Sequence, residues 1–162
     1  MPFVRDQNGH YHAAGPITDV DILTQAAAIK SSDAVRERIK LSNPKDMGAL
    51  FSTRLKHLEH EEFHVAFLDT THRLIAVECL FSGTVDGTEV HPREVVKRAL
   101  AYNAACIAVA HNHPSKNPEP SAADRAVTAR LKQAMIIVDI RLLDHFVIAG
   151  DENVSLAARG WI

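Results

Sequence analysis

The feature that most constrains the fold is an apolar run, residues 104–110, followed directly by His111-Asn112-His113-Pro114. The run has the length and composition of a buried strand. Because successive side chains of a strand point to opposite faces, His111 and His113 project to the same side at its end. Pro114 ends the strand, and a proline-rich loop follows. Two imidazoles placed in this way can share one metal ion.

A helix is predicted after the loop, beginning at Ser121. Its apolar stripe recurs at spacings of three and four residues and consists of Val127, Leu131, Ala134, Met135 and Val138. One turn earlier the same stripe reaches Asp124. A buried carboxylate is costly unless it is paired or bound to a metal. Two imidazoles and a carboxylate, with a position left for water, are typical of catalytic rather than structural zinc sites.

An ordinary structural reading of the same residues stays open beside the metal site. Ser121-x-x-Asp124 is also typical of a capping box at a helix start, and a His-x-His pair is often incidental. The probability that the whole pattern occurs by chance in a chain of this length, however, is on the order of 10⁻⁵. The pattern therefore favours a metal site, and Ser121 can cap the helix in either case.

The joint pattern of His-x-His-Pro, six residues and Ser-x-x-Asp resembles the JAMM metalloprotease motif of the JAB/MPN superfamily. More narrowly, the chain resembles the C-terminal domain of RadC proteins over roughly residues 45–162. The stretches that carry this resemblance are Val65-Ala66-Phe67-Leu68-Asp69, Leu80-Phe81-Ser82-Gly83-Thr84, Val90-His91-Pro92-Arg93-Glu94-Val95, Arg141-Leu142-Leu143-Asp144-His145 and Arg159-Gly160-Trp161-Ile162. It implies an α/β (α+β layered) fold, with a mixed β-sheet flanked by helices and layering like that of cytidine deaminases.

The resemblance also implies a zinc-dependent metallopeptidase or isopeptidase that works through a metal-activated water. His111, His113 and Asp124 would bind Zn²⁺, and water would fill the fourth position. Ser121 would help to bind the oxyanion of the tetrahedral intermediate.

A JAMM hydrolase also needs a glutamate as general base near the start of its first strand. Glu61 best matches that position. Glu62 is the second choice and would face the other way if the segment is a strand. Glu78, within the following strand, is the third.

The remaining histidines and cysteines are assigned ordinary roles. We expect His91 and His145 to be ordinary histidines, with hydrogen-bond support of the metal ligands as the alternative for His145. Cys79 and Cys106 lie in apolar, strand-like surroundings and are predicted to be buried rather than to bind metal.

The pattern along the chain predicts an N-terminal helical extension, residues 1–41, and a RadC-like JAB/MPN domain, residues 42–162. In the extension we predict an irregular start or short hairpin at 1–16, a helix capped by Thr18, and a second short helix after Ser31-Ser32-Asp33. In the domain we predict a helix from Pro44 to 59–62, strands at 63–69 and 74–81, and a third extended piece ending at 90–91. A helix from 93 to about 103, with Leu100 on its inward face, and strands at 140–149 and 154–156 complete the predicted elements.

Composition limits the other functions. A net charge of −2 gives no electrostatic case for nucleic-acid binding, although RadC proteins carry a DNA-repair label. The chain shows no counterpart of the helix-hairpin-helix region of full RadC proteins, which further weakens a DNA-repair role. With two cysteines, no signal segment and no apolar span of membrane length, a cytoplasmic protein is expected.

Two rival functions remain open. One is a non-catalytic JAB-type module that binds a protein or DNA partner, in a DNA-repair or mobile-element context, and the other is a metal-dependent nuclease. The sequence fixes neither the substrate nor the oligomeric state.

Overall fold

The computed structural model of the chain describes residues 2–8, 10–36, 38–84 and 88–162, with residues 30–36 described by their backbone. The chain divides into two compact units, Met1–Arg38 and Ile39–Ile162. Our division into domains after residue 41 stays a prediction. None of the helices among the described residues is both long and apolar enough to cross a bilayer.

The first unit contains a small antiparallel hairpin and one long helix. Strands β1 (Phe3–Arg5) and β2 (Tyr11–Ala13) pair with each other, as the short-hairpin alternative predicted. Helix α1 (Asp19–Arg36) then runs without a break. The prediction of a new helix start at Ser31-Ser32-Asp33 was therefore wrong. Serine and aspartate are only weakly unfavourable inside a helix, so a cap-like triplet does not by itself end one.

The second unit is a mixed five-stranded sheet with helices on both faces, as the α/β prediction required. Its elements are α2 (Pro44–Leu55), β3 (Glu62–Leu68), β4 (Leu74–Ser82), α3 (Pro92–Ala101), β5 (Cys106–Asn112), α4 (Ala122–Ile137), β6 (Arg141–Ala149) and β7 (Glu152–Ser155). The strand order is β4-β3-β5-β6-β7, and only β5 and β6 are parallel. The parallel pair is joined through α4, a crossover of the kind that parallel strands need.

Alternation along β3 separates two hydrophobic cores. Phe63, Val65 and Phe67 belong to the core that α3 and α4 cover, where Leu131 and Met135 pack. Ala66 and Leu68 point the other way, to the core that α2 covers with Phe51 and Leu55. Side chains at even and odd positions of this strand therefore meet different parts of the molecule.

Several boundaries differ from the predictions. Helix α2 ends at Leu55 rather than at 59–62, so the glutamates that follow lie at the entry of β3. The third extended piece falls partly on residues 85–87, outside the described residues, and residues 88–91 form no strand. Leu100 is 55% exposed rather than inward, because the buried stripe of α3 is Val95 and Ala99.

Cys79 is also exposed rather than buried, whereas Cys106 is buried as predicted. Cys79 lies on β4, which is an edge strand of the sheet, whereas Cys106 lies on the central strand β5. An apolar neighbourhood in sequence does not distinguish an edge strand from a central one.

Candidate metal centre

Three side chains meet at the C-terminal end of β5 and the first turn of α4. The Nε2 atoms of His111 and His113 lie 3.0 Å apart. Asp124 Oδ1 lies 3.1 Å from His111 Nε2, and Asp124 Oδ2 lies 3.3 Å from His113 Nε2. One ligand atom from each of the three residues lies within 4.8 Å of the others. We call these residues the cavity-side trio.

The capping box at the start of α4 holds Asp124 in this position. Asp124 N donates to Ser121 Oγ at 3.1 Å, and Ser121 N donates to Asp124 Oδ2 at 2.7 Å. The carboxylate is thereby fixed by the backbone of its own helix start. The cap and the metal-ligand readings of Ser-x-x-Asp are therefore compatible, because the cap orients the carboxylate towards the imidazoles.

The hydrogen bond of His113 determines which of its nitrogens is free. His113 Nδ1 lies 2.8 Å from the carbonyl oxygen of Asn117. A carbonyl can only accept, so Nδ1 carries the proton and the neutral ring presents an unprotonated Nε2 to the trio.

A buried chain of hydrogen bonds gives His111 the same tautomer. Thr128 Oγ1 donates to the carbonyl oxygen of Asp124 at 2.7 Å and lies 2.6 Å from His145 Nδ1, so it accepts the Nδ1 proton. His145 Nε2 is then an acceptor and lies 2.8 Å from His111 Nδ1. His111 consequently donates from Nδ1 and turns a free Nε2 towards the trio.

With both rings neutral, the trio offers two nitrogen lone pairs and a carboxylate to a cation; without a cation, a proton on an Nε2 atom bonds Asp124 to the histidines. Burial acts to raise the pKa of Asp124, but its hydrogen bonds with His111 and His113 outweigh burial and hold that pKa well below its usual range. The same bond with Asp124 raises the pKa of His113. Burial lowers the pKa of His145 well below its usual value and keeps that ring neutral. Two imidazole nitrogens and a carboxylate fit a divalent cation such as zinc.

The trio lies at a cavity of about 390 Å³ that Glu61 also lines. The other two candidate bases point elsewhere. Glu62 contacts His60 and His64 on the opposite face of β3, and Glu78 accepts from Arg98 and Tyr102. Among the three glutamates, Glu61 alone lines this cavity.

Asn112, between the two histidines, connects Glu61 to the strand of the ligands. The buried Asn112 side chain accepts from Glu62 N and donates to His60 O, both at 2.8 Å. These two contacts bracket Glu61 on both sides along the chain. The backbone of Glu61 is thus held in register with β5, which carries His111.

Ser121 is exposed and lines the same cavity. Its oxygen accepts from Asp124 N, so its hydroxyl proton remains available to a bound group. His91 behaves as the ordinary reading predicted: its side chain is 57% exposed and lies beside Phe81 and Glu89.

Sequence reasoning underestimated three residues. His145, expected to be an ordinary half-buried histidine, is 1% exposed and bonds His111, as the alternative proposed. Thr128 and Asn112 were given no role. Asn112 carried a usable signal, because strand alternation turns it away from the two histidines towards the opposite face. Thr128 carried no such signal, because it lies on helix α4 and its partner, His145, lies on strand β6.

Comparison with known proteins finds a family model and curated relatives that match this chain. The model of the RadC-like JAB domain matches residues 41–161. A UPF0758 protein of Xanthomonas campestris is 62% identical over 122 residues, which are 75% of this chain and 54% of that protein. A UPF0758 protein of Xylella fastidiosa is 51% identical over 129 residues, 80% of this chain and 58% of that protein. The chain spans little more than half the length of these curated relatives.

Proposed function

The chain belongs to the family of RadC-like JAB domains, and on that premise we propose that it is a zinc-dependent hydrolase of peptide or isopeptide bonds. The observation that carries the proposal is the convergence of two imidazole nitrogens and a carboxylate beside a cavity that a further carboxylate, Glu61, also lines. A purely structural capping box needs neither the histidines nor Glu61.

In this proposal each residue has one task. His111, His113 and Asp124 hold the metal. A zinc ion held by these residues would supply Lewis-acid chemistry and would lower the pKa of a bound water. Glu61 accepts the proton of the attacking water and delivers it to the leaving amine. Ser121 donates its hydroxyl proton to the oxygen on which negative charge develops.

Two positioning contacts support this division of tasks. The His111–His145–Thr128 chain places the proton of the neutral His111 ring on Nδ1, so that Nε2 is the nitrogen that can bind the metal. Asn112 fixes the segment that carries Glu61. Ligands and base are thus oriented by separate sets of hydrogen bonds, so each set can be disturbed without the other.

The substrate and the compartment are also part of the proposal. A peptide or isopeptide substrate is favoured over nucleic acid because the chain carries a net charge of −2. Both cysteines are free thiols, which fits a reducing cytoplasm.

The test combines metal content with activity. We expect His113→Ala and Asp124→Ala to hold one equivalent of zinc less per chain than the wild type, both purified without added metal or a histidine tag. Glu61→Gln should keep the zinc and lose amide-bond hydrolysis by about 10²–10⁴-fold, measured on a fluorogenic peptide and isopeptide library.

Glu78→Gln is the matched control, because it changes a glutamate that pairs with Arg98 outside the cavity. It should keep both zinc and activity. A zinc-loaded wild type that hydrolyses no member of the library would overturn the proposal in favour of a non-catalytic binding module.

A further inference from the structure

A second group of metal-binding side chains lies on the other face of β3. Glu62 and His64 alternate with Phe63 and therefore point to the side that α2 covers. Cys79 of β4 is the direct cross-strand partner of His64. One ligand atom from each of Glu62, His64 and Cys79 lies within 4.8 Å of the others. We call these residues the opposite-face trio.

The hydrogen bonds within this trio already bring the ligand atoms together. Glu62 Oε2 lies 2.7 Å from His64 Nε2, and Glu62 Oε1 lies 2.8 Å from His60 Nε2. His64 is only 4% exposed, whereas Cys79 is open to solvent. A cation therefore has an entry path past Cys79 to a nitrogen and a carboxylate that are held in place.

We propose that Glu62, His64 and Cys79 form a second divalent-metal site, with a sulfur ligand that the cavity-side trio lacks. Thiolate, imidazole and carboxylate together suit a borderline-soft cation, with zinc as the natural occupant and cobalt as a spectroscopic substitute. The fourth coordination position of the ion would then face solvent on the side of Cys79.

The charge and proton balance of the site is consistent with a divalent ion. The metal-free trio carries the charge of Glu62 and a protonated thiol, because burial and the neighbouring carboxylate raise the pKa of Cys79 to about 11. On metal binding the thiol proton leaves to solvent, and the sulfur becomes a thiolate ligand. The two negative charges of Glu62 and Cys79 then match the two positive charges of the ion.

Arg54 opposes metal binding in the structure as it stands. Its Nε donates to His64 Nδ1 at 3.3 Å, so the proton of the neutral ring is on Nε2. Coordination through Nε2 moves that proton to Nδ1, which then faces another donor. Arg54 must therefore move aside, and it can do so because it lies on the exposed side of α2.

The test is titration of the metal-free full-length chain with Co²⁺, followed by sulfur-to-cobalt charge-transfer absorption in the near ultraviolet. The band reports a thiolate ligand, so the cavity-side trio cannot produce it. We expect the band to saturate once both trios are filled, near two equivalents of cobalt per chain, and to disappear in Cys79→Ser. It should persist in Cys106→Ala, which removes the buried thiol, and in Asp124→Ala, which disables the cavity-side trio.

Two further variants keep the result interpretable. Glu62→Gln should weaken cobalt binding without removing the thiol. Arg54→Gln should strengthen it by about tenfold, because the positive charge beside the cation is removed and the charged donor is replaced by a shorter, neutral one. No band in the wild type, or a band that survives Cys79→Ser, would overturn the second site. Neither result bears on the proposed hydrolase, since its ligands lie on the other face of the sheet.

Discussion

The two faces of the sheet each hold a ligand trio whose ligand atoms lie within 4.8 Å of one another, but the two trios have different surroundings. On the cavity side, Asn117 and His145 accept the Nδ1 protons of the histidines, so each ring in its neutral form has its lone pair on Nε2. On the opposite face, Arg54 donates to His64 Nδ1 and keeps the proton on the ligand nitrogen. Equal convergence therefore does not mean equal affinity, because the partners of the second ring nitrogen decide whether the first one is available.

The largest expected effect that distinguishes the two trios comes from removing a ligand from one trio alone. Asp124→Ala should lower zinc affinity at the cavity-side trio by about 10³-fold or more, because one of three protein ligands is lost. The sulfur-to-cobalt band of the opposite face should not change. Equilibrium dialysis and the cobalt spectrum together measure the two sites.

Loss of the helix cap must be separated from loss of the ligand. Ser121→Ala removes the bond from Asp124 N and should cost about 1 kcal/mol of unfolding free energy, with zinc retained. If Ser121→Ala lost zinc as completely as Asp124→Ala, the carboxylate would be acting through helix stability and not as a ligand.

A smaller effect than that of Asp124→Ala is expected from Asn112, whose side chain bonds the backbone on both sides of Glu61. Asn112→Ala removes the contacts with Glu62 N and His60 O and frees the segment that carries Glu61. We expect turnover to fall by about 10²-fold while zinc content stays the same. Steady-state kinetics beside metal analysis test this, and a parallel fall in zinc would contradict a role for Asn112 in positioning the base.

The hydrogen-bond chain behind His111 sharpens the comparison further. Thr128→Val removes the acceptor of His145 Nδ1 and should weaken zinc binding at the cavity-side trio by about tenfold. Thr53→Val is the matched control, since Thr53, at an exposed position of α2, also bonds the carbonyl four residues earlier but has no hydrogen bond to a histidine among the described residues. Equal losses in both variants would show that the effect comes from the helix and not from the tautomer.

The smallest effect concerns the loop that links His113 to Ser121. Lys116 has a φ of 61°, a left-handed conformation that favours glycine. Lys116→Gly should raise the free energy of unfolding by about 0.5 kcal/mol, as relief of strain exceeds the added chain entropy. Lys116→Ala keeps the strain and should give no gain in urea denaturation.

The sequence predicted those parts of the fold and site that depend on neighbours along the chain. The His111–Asp124 spacing, the cap at Ser121 and the opposite orientation of Glu62 all follow from strand and helix periodicity. The exposure of Cys79 does not follow from periodicity, because it depends on β4 being at the sheet edge. The contact of His145 with His111 does not follow either, because it depends on the pairing of β5 with β6.

The cavity-side trio comes from one contiguous segment, from the end of β5 to the start of α4, whereas its supporting contacts come from far along the chain. His111 bonds His145 across 34 residues, and Asn112 bonds Glu62 across 50. Short loops close at a smaller entropy cost and form earlier during folding than long ones. A cation present during synthesis would therefore encounter the three proposed ligands before the proposed general base, Glu61, is in place, and capture of that cation should speed the folding of the remaining sheet.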